Sequence, residues 1–341
     1  MFHSFGPAPH IYSSIHTHLP TAINHHDDHG RFFRPLTTLS QNIYDSDPAF
    51  YAKYAELREN RPETQQAGVP DMATLHELLP SLQGKRVLDL GCGDGWFCRW
   101  ASARGAAVCR GVDASAAQLG RARELTEMHR AYLQESRGSE GADAAVEGAD
   151  VDYVRADMNQ KGALKAAALL TSSAAEDGGK EGKKLQKYQV AFCSLSLHYI
   201  ADLGALLDEI SACLTAGAFL FFSIEHPMAT APQTKTPKLI QLDEGFAGGK
   251  PAWPLRDYLA EGARVKTWLG ADVRKQHRTV STYINSLIKA GLDVVGTWEW
   301  GVKDSDDGGE GGAVDEMRRE RNYGVTESVF PYFMGFKVWK R

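Results

Sequence analysis

Val87-Leu88-Asp89-Leu90-Gly91-Cys92-Gly93-Asp94-Gly95 runs from an apolar stretch straight into three alternating glycines. A short apolar run that stops at glycines reads as a strand meeting a tight turn. Glycine there frees the backbone to turn and lets a ligand approach with no Cβ in the way. Several nucleotide-binding folds use such a turn, so alone it is a weak signal. The spacing is more selective. Dinucleotide sites use G-x-G-x-x-G to seat a pyrophosphate on a helix N-terminus. Here the glycines read G-x-G-x-G, and Asp89 stands two residues before the first. A carboxylate beside the loop repels a pyrophosphate but accepts hydrogen bonds from a cationic amino-acid moiety. GxxxxGK[ST] is absent, which excludes a P-loop.

Outward from this turn the pattern alternates. Helical spacing continues over 95–104, an apolar run follows at 107–112, and a helix is expected over 115–133 with Ser115 as its N-cap. Strand signatures recur at 151–154, 189–195 and 216–224, with helical stretches at 162–170 and 203–214. A late pair, 292–300 and 329–339, alternates like strands. Runs apolar on both faces between helices predict a mainly parallel, doubly wound α/β sheet covered on each side.

The chain has 341 residues, 43% of them hydrophobic and 24% charged, which is ordinary globular composition. Its longest apolar runs fall short of the ~18 residues of a membrane-spanning helix. Lys and Arg number 38 against 43 for Asp and Glu, a net charge of −5 that gives no electrostatic reason to expect a nucleic-acid partner. Cys92, Cys98, Cys109, Cys193 and Cys213 form no CxxC pair and read as buried reduced thiols of a cytoplasmic protein, with no metal site. Residues 1–40 form an arm expected to be disordered, with seven of the twelve histidines between His3 and His29. Residues 136–150, 172–187 and 303–323 are rich in Gly and charge, and read as surface insertions with too little apolar surface to pack. The folded domain is expected over 41–341, with a binding core about 84–225 and a cap and terminal strands about 226–341.

The glycine motif resembles the first motif of class I S-adenosylmethionine-dependent methyltransferases, and the likeness continues along the chain. Gly111-Val112-Asp113 ends the second strand with an acid, where that family binds the cofactor's ribose hydroxyls. Arg155-Ala156-Asp157-Met158 ends the third, near the family's adenine site. Tyr188–Ile200 resembles the fourth strand and the loop at the methyl-transfer site, and Leu214–Ala231 the fifth. Asn42–Arg58 and Trp268–Gly291 resemble segments of the type 11 methyltransferase group. The resemblance implies a seven-stranded Rossmann-like sheet with N-terminal helices and a cap after the fifth strand. It also implies S-adenosyl-L-methionine as cofactor, bound by Asp89, Gly91, Cys92, Gly93, Asp113, Ala114, Asp157, Met158 and Ser194.

Three histidines are candidate catalytic residues. His198 follows the fourth strand at the carboxyl edge, where open α/β sheets bind ligands, and a neutral imidazole there could take a proton from the acceptor. It could equally be a core histidine. His226 stands at the next strand end. His277 precedes a helical 279–290, read as part of the cap. Tyr44, Tyr51 and Tyr54 read either as core packing or as a lid, and Trp96 and Phe97 as helix packing.

The acceptor leaves fewer marks. No [DN]PP[YFW] follows the fourth strand, Cys193 lacks a preceding proline, and no Lys-Asp-Lys-Glu tetrad stands out. With the acidic balance this favours methyl transfer to O or N of a small molecule. A tRNA or protein methyltransferase and a non-catalytic cofactor-binding protein are the rival readings.

Overall fold

The computed structural model describes residues 42–59, 69, 72–137, 149–169, 187–238, 240–245, 251–301 and 331–341. The arm at 1–40 and the insertion at 303–323 lie outside these, as does most of 136–150 and 172–187. Helices α1 (Ile43–Ser46), α2 (Pro48–Glu59) and α3 (Met72–Leu78) come first. Then follow β1 (Arg86–Leu90), α4 (Trp96–Ser102), β2 (Val108–Asp113), α5 (Ala116–Arg137), β3 (Asp150–Arg155) and α6 (Ala163–Leu169). Next are β4 (Tyr188–Ser194), α7 (Leu203–Cys213), β5 (Leu214–Glu225) and the short α8 (Pro227–Thr230). Short strands β6 (Ile240–Gln241) and β7 (Pro251–Ala252) precede a hairpin, β8 (Gly262–Trp268) and β9 (Ala271–His277). Helix α9 (Val280–Lys289) and strands β10 (Leu292–Trp300) and β11 (Phe333–Lys340) complete the chain.

Seven strands form one sheet in the order β10-β11-β5-β4-β1-β2-β3. Strands β3, β2, β1, β4 and β5 pair in parallel, while β11 runs antiparallel to both β5 and β10. The expected doubly wound, mainly parallel sheet is present. Alternate residues of one strand feed the two core layers. Leu88 and Leu90 pack with Leu164, Leu206 and Leu287 on one face. Val87 on the other face joins a layer with Leu75, Phe97 and Leu119, and Phe97 stacks on Phe192 at 3.7 Å between ring centroids. Strands covered on both faces have to be apolar throughout, which is why β1 reads as an unbroken run. The chain reverses direction across the sheet between β1 and β4, so a crevice opens at their carboxyl ends.

One expectation is corrected. The helix after His277 does not belong to the cap. Tyr283 and Leu287, four residues apart on one face of α9, sit 2% and 0% exposed in the same layer as Phe336. That amphipathic stripe docks α9 on the sheet. The cap is the preceding stretch, which carries the β8–β9 hairpin. The five cysteines are buried and free. Among the described residues no helix is long and apolar enough to cross a membrane.

Candidate active site

The crevice holds a cavity of about 240 Å³. Its floor is the glycine turn. Gly91 has φ +68°, and a Cβ there would lie 2.1 Å from Ser196 Oγ, so only glycine fits. Gly93 has φ +52°, and its missing Cβ would point into open space, with Gln118 Oε1 4.0 Å away as the nearest atom. That opening is a cradle for a ligand. Asp113, at the end of β2, ties the turn to α5: Oδ2 accepts from Gly93 N at 3.0 Å and Oδ1 from Ser115 N at 2.8 Å. Ser115 caps α5, its Oγ accepting from Gln118 N at 3.1 Å. Burial pushes the Asp113 carboxyl up, and those backbone donors act against it. Asp89 is 2% exposed, and its Oδ2 accepts the Cys98 thiol proton at 3.7 Å. Burial pushes its carboxyl up to about 8, with Asp113 and Asp94 adding to the rise.

All nine residues expected to bind the cofactor line this cavity. Asp157 also closes the turn after β3, accepting from Asn159 N at 3.0 Å. Tyr44, Tyr54 and Trp96 contribute to the walls, while Tyr51 does not and instead donates from its hydroxyl to Ala117 O at 3.4 Å. Tyr44 belongs to α1, separate from the helix that carries Tyr54. Their rings meet edge-on at 4.9 Å, and Tyr54 meets Trp268 of the hairpin at 5.9 Å. These rings form one packed cluster in the cavity wall.

The three histidines part company. His198 lines the cavity but is 1% exposed, and its Nδ1 accepts from Glu225 N at 3.4 Å. Burial drives its pKa down to about 3, and the nearby Lys275 and Arg278 act in the same direction. Both expected readings, core histidine and proton acceptor, require a neutral ring, and burial keeps it so. His226 and His277 are not among the cavity's lining residues. His226 caps α8, its Nδ1 accepting from Met228 N at 3.0 Å, while Nε2 meets Glu299 Oε1 at 2.8 Å. His277 Nε2 is 2.8 Å from the Tyr258 carbonyl, which can only accept, so Nδ1 is left to accept from the Thr230 hydroxyl at 2.8 Å. Both rings are committed to holding the cap.

Four charged residues in the wall, Arg58, Asp94, Glu225 and Lys275, were not among the expected site residues. Glu225 ends β5 and Lys275 comes from β9, and Lys275 Nζ meets Glu225 Oε1 at 2.5 Å. An acid at a strand's carboxyl end was a usable signal for Glu225. Lys275 gave none.

The donor set suits a cationic amino-acid nucleotide. Asp89 and Asp113 offer carboxylates at the turn, and the cavity-lining Asn42 and Gln118 each keep one buried polar atom, Oδ1 and Nε2, without a hydrogen-bond partner. Such atoms are costly unless a ligand meets them.

Known proteins agree with this geometry. An S-adenosylmethionine-dependent methyltransferase of Mesorhizobium loti is 29% identical, with 79% of this chain and 96% of that one covered and a TM-score of 0.53. A Listeria monocytogenes protein assigned to the same class is 26% identical over 79% of this chain and 97% of its own, with a TM-score of 0.51. An uncharacterised protein of Haemophilus influenzae is 28% identical over 253 residues, 74% of this chain and 84% of that one. Residues 57–295 match the methyltransferase-domain family, and with the sheet order, the acid-flanked glycine turn and the carboxylate at the end of β2 already in place, the chain belongs to that family.

Proposed function

We infer that the protein is an S-adenosyl-L-methionine-dependent methyltransferase that modifies oxygen or nitrogen of a small molecule. The observation that supports a small acceptor is the aromatic cluster that narrows the cavity. Tyr54 of α2 meets Trp268 of the hairpin and Tyr44 of α1, and all three rings line the cavity. A polynucleotide or a protein surface needs an open groove instead.

When bound, the cofactor supplies an electrophilic methyl group on a positively charged sulfur. The chain's own residues do the rest. Asp89 accepts hydrogen bonds from the ammonium, Asp113 from the ribose hydroxyls, and Asp157 with Met158 borders the base. Gly93 leaves the space through which the ligand's backbone-side atoms approach. The aromatic walls exclude water and hold the acceptor near the methyl carbon, which is most of what this displacement requires. The G-x-G-x-G spacing makes a nicotinamide dinucleotide a poor fit, because its pyrophosphate is seated by G-x-G-x-x-G. Five buried thiols suit a reducing, cytoplasmic setting.

The test has two stages. Titration calorimetry should show binding of S-adenosylmethionine and S-adenosylhomocysteine and none of NAD. Methyl-labelled cofactor incubated with a whole-cell extract should then place label in the small-molecule fraction. Label in the RNA or protein fraction would overturn the small acceptor, and binding without turnover in any fraction would leave a cofactor-binding protein.

A further inference from the structure

Five parallel strands bring their carboxyl ends to the cavity in the spatial order β3, β2, β1, β4, β5. In the methyl-transfer reading the first three serve the cofactor, through Asp157, Asp113 and Asp89. The space beside β4 and β5 is left for the acceptor. Ser194 ends β4 there and pairs with Ser223 of β5, two residues before Glu225. Glu225 ends β5 and so stands two strand spacings, about 10 Å, from β1.

Beside β4 and β5 the wall holds His198, Glu225 and, from β9, Lys275. His198 has no lone pair to spare. Its Nδ1 already accepts the Glu225 amide at 3.4 Å, so the neutral ring carries its proton on Nε2. Lys275, ion-paired with Glu225 at 2.5 Å, is an ammonium with donors only. The phenols of Tyr44 and Tyr54, whose pKa burial raises, keep their protons. A carboxylate has about four lone-pair sites, so Glu225 retains acceptor capacity beside its contact with Lys275. Lys275 is 2% exposed and Glu225 8%. Burying such a pair seldom adds stability over apolar residues of like shape, and charge kept in a cavity wall despite that cost marks a functional group.

We propose that Glu225 is the proton acceptor of methyl transfer, that Lys275 fixes its carboxylate, and that the methyl acceptor is a hydroxyl or N–H group carrying a proton on the atom to be methylated. As a lone pair of that atom bonds the methyl carbon, the carbon–sulfur pair returns to sulfur and the positive charge passes to the acceptor. Its proton then moves to a carboxylate oxygen of Glu225. The products are the methylated acceptor, the neutral thioether and a protonated Glu225, which returns the proton to water after release. The acceptor atom turns strongly acidic as the bond forms, so a carboxylate, a weak base, suffices. The Glu225–Lys275 pair is neutral overall and sets no preference between oxygen and nitrogen. This assignment rests on the methyl-transfer reading, and it gives that reading a base.

The experiment uses the full-length protein, methyl-labelled S-adenosylmethionine and the small-molecule fraction of a whole-cell extract. Binding of S-adenosylhomocysteine is measured first. Its absence, or absence of label transfer by wild type, counts against the methyl-transfer reading itself and takes the proposal with it. Mass spectrometry of the wild-type product, which needs no variant to fold, should show one hydrogen replaced by methyl. A permanent cation, with methyl gained and no hydrogen lost, would overturn the proposal. Glu225→Gln should transfer label about 10²-fold or more slower, with S-adenosylhomocysteine affinity within about 2-fold of wild type. Glu225→Asp should retain more rate than Glu225→Gln. Formate should restore part of the rate to Glu225→Ala, where it fills the vacated space, and none to Glu225→Gln. Adding Lys275→Met to Glu225→Gln should cost little further, because the two residues act as a unit. That double variant leaves neither charge buried alone, so it replaces the single one where the latter fails to fold. A near wild-type rate in Glu225→Gln or in the double variant, or no rescue of Glu225→Ala by formate, would remove Glu225 from the chemistry.

Discussion

Arg58 grips Asp94 with two nitrogens, Nε to Oδ2 at 2.9 Å and Nη2 to Oδ1 at 3.0 Å. The pair joins the last turn of α2 to the glycine turn. Asp94 is itself braced, its backbone oxygen accepting from Arg99 Nη1 at 2.6 Å and its Oδ1 from Trp96 N at 3.3 Å. Earlier in the chain, Asp45 of α1 accepts from Ser115 Oγ at 2.6 Å and from the amides of Ala116 and Ala117, each at 3.0 Å. The N-terminal helices are thus tied at two points, to the glycine turn and to the start of α5, beside the cavity.

Removing the Arg58 tie should speed release. Arg58→Ala leaves Asp94 and its loop contacts in place, so it separates α2 from the glycine turn. Loss of a two-pronged, charge-assisted contact of about 1.5 kcal/mol or more corresponds to dissociation of S-adenosylhomocysteine roughly 10-fold faster. Association should change less. Stopped-flow fluorescence from the cavity tryptophans Trp96 and Trp268 reads both rates. An unchanged dissociation rate would mean that α2 does not gate exchange.

Asp89 sets stability against binding. Its carboxyl is raised to about 8 by burial, so the folded apoprotein keeps a proton there that the unfolded chain gives up near pH 4. Between those values the native state binds more protons, and this group's contribution to stability falls as pH rises. Asp89→Asn removes the penalty. The variant should melt several degrees above wild type at pH 9 with the gap closing toward pH 5, while its cofactor affinity falls by about 10-fold or more. In wild type, affinity for S-adenosylmethionine should climb as pH rises through about 8, when the carboxyl ionises. Melting curves and calorimetry across pH 5–9 make the check, and a gap constant with pH would show that Asp89 ionises freely in the fold.

What the sequence made legible was whatever is encoded locally. A strand that ends in Asp89-Leu90-Gly91 or Gly111-Val112-Asp113 announces both its burial and the charge at its tip, because burial demands an unbroken apolar run. The Glu225–Lys275 pair in the cavity wall is not local. Glu225 and Lys275 are 50 positions apart, and their meeting depends on how the β8–β9 hairpin folds back. The hairpin also inverts the usual pattern. Its inward face carries Arg264 and Lys266 at 6% and 5% exposed, with Lys275 and His277 at 2% and 0%. Arg264 Nε donates to Ala231 O at 3.1 Å, and Lys266 Nζ to Thr234 O at 3.0 Å, so these cations satisfy carbonyls of the irregular chain after β5. Charged residues alternating along a strand read as a solvated face, and only the partners reveal otherwise.

The tie at Asp45 makes a separate prediction. Asp45 is held down to about 2, because the hydrogen bonds from Ser115, Ala117, Ala116 and Asn42 outweigh its burial. A carboxyl lowered in the fold contributes stability above its unfolded pKa, and that contribution fades as pH falls from near 4 through about 2. Asp45→Ala removes a cap-like acceptor from the first turn of α5 and should cost about 0.5–2 kcal/mol at pH 7. The cost should shrink in acid. Urea unfolding at pH 7 and pH 3 gives both numbers, and equal costs at the two values would deny the carboxylate its role.

His198 supplies the last prediction, and it separates a positioning residue from a base. An imidazole whose pKa has been driven down to about 3 is neutral at every pH at which the enzyme would be assayed. It should leave no limb in the pH–rate profile between pH 5 and 8. Its Nδ1 accepts from the Glu225 amide, so it steadies the end of β5, where the Glu225–Lys275 pair begins. His198→Gln should retain more activity than His198→Ala, because its amide oxygen can still accept that hydrogen bond. Both should show pH–rate profiles of the wild-type shape. The fold also carries the expected linkage. A histidine kept neutral in the native state binds fewer protons there than in the unfolded chain, so its contribution to stability is lost as pH falls from about 6.5 toward 3. Relative to His198→Gln, wild type should therefore lose stability more steeply over that window. Urea titrations at pH 7, 5 and 4 measure the stability difference, and steady-state rates with an identified acceptor give the profiles. A wild-type acid limb near pH 6.5 that disappears in His198→Gln would restore the histidine as the proton acceptor and displace the positioning role.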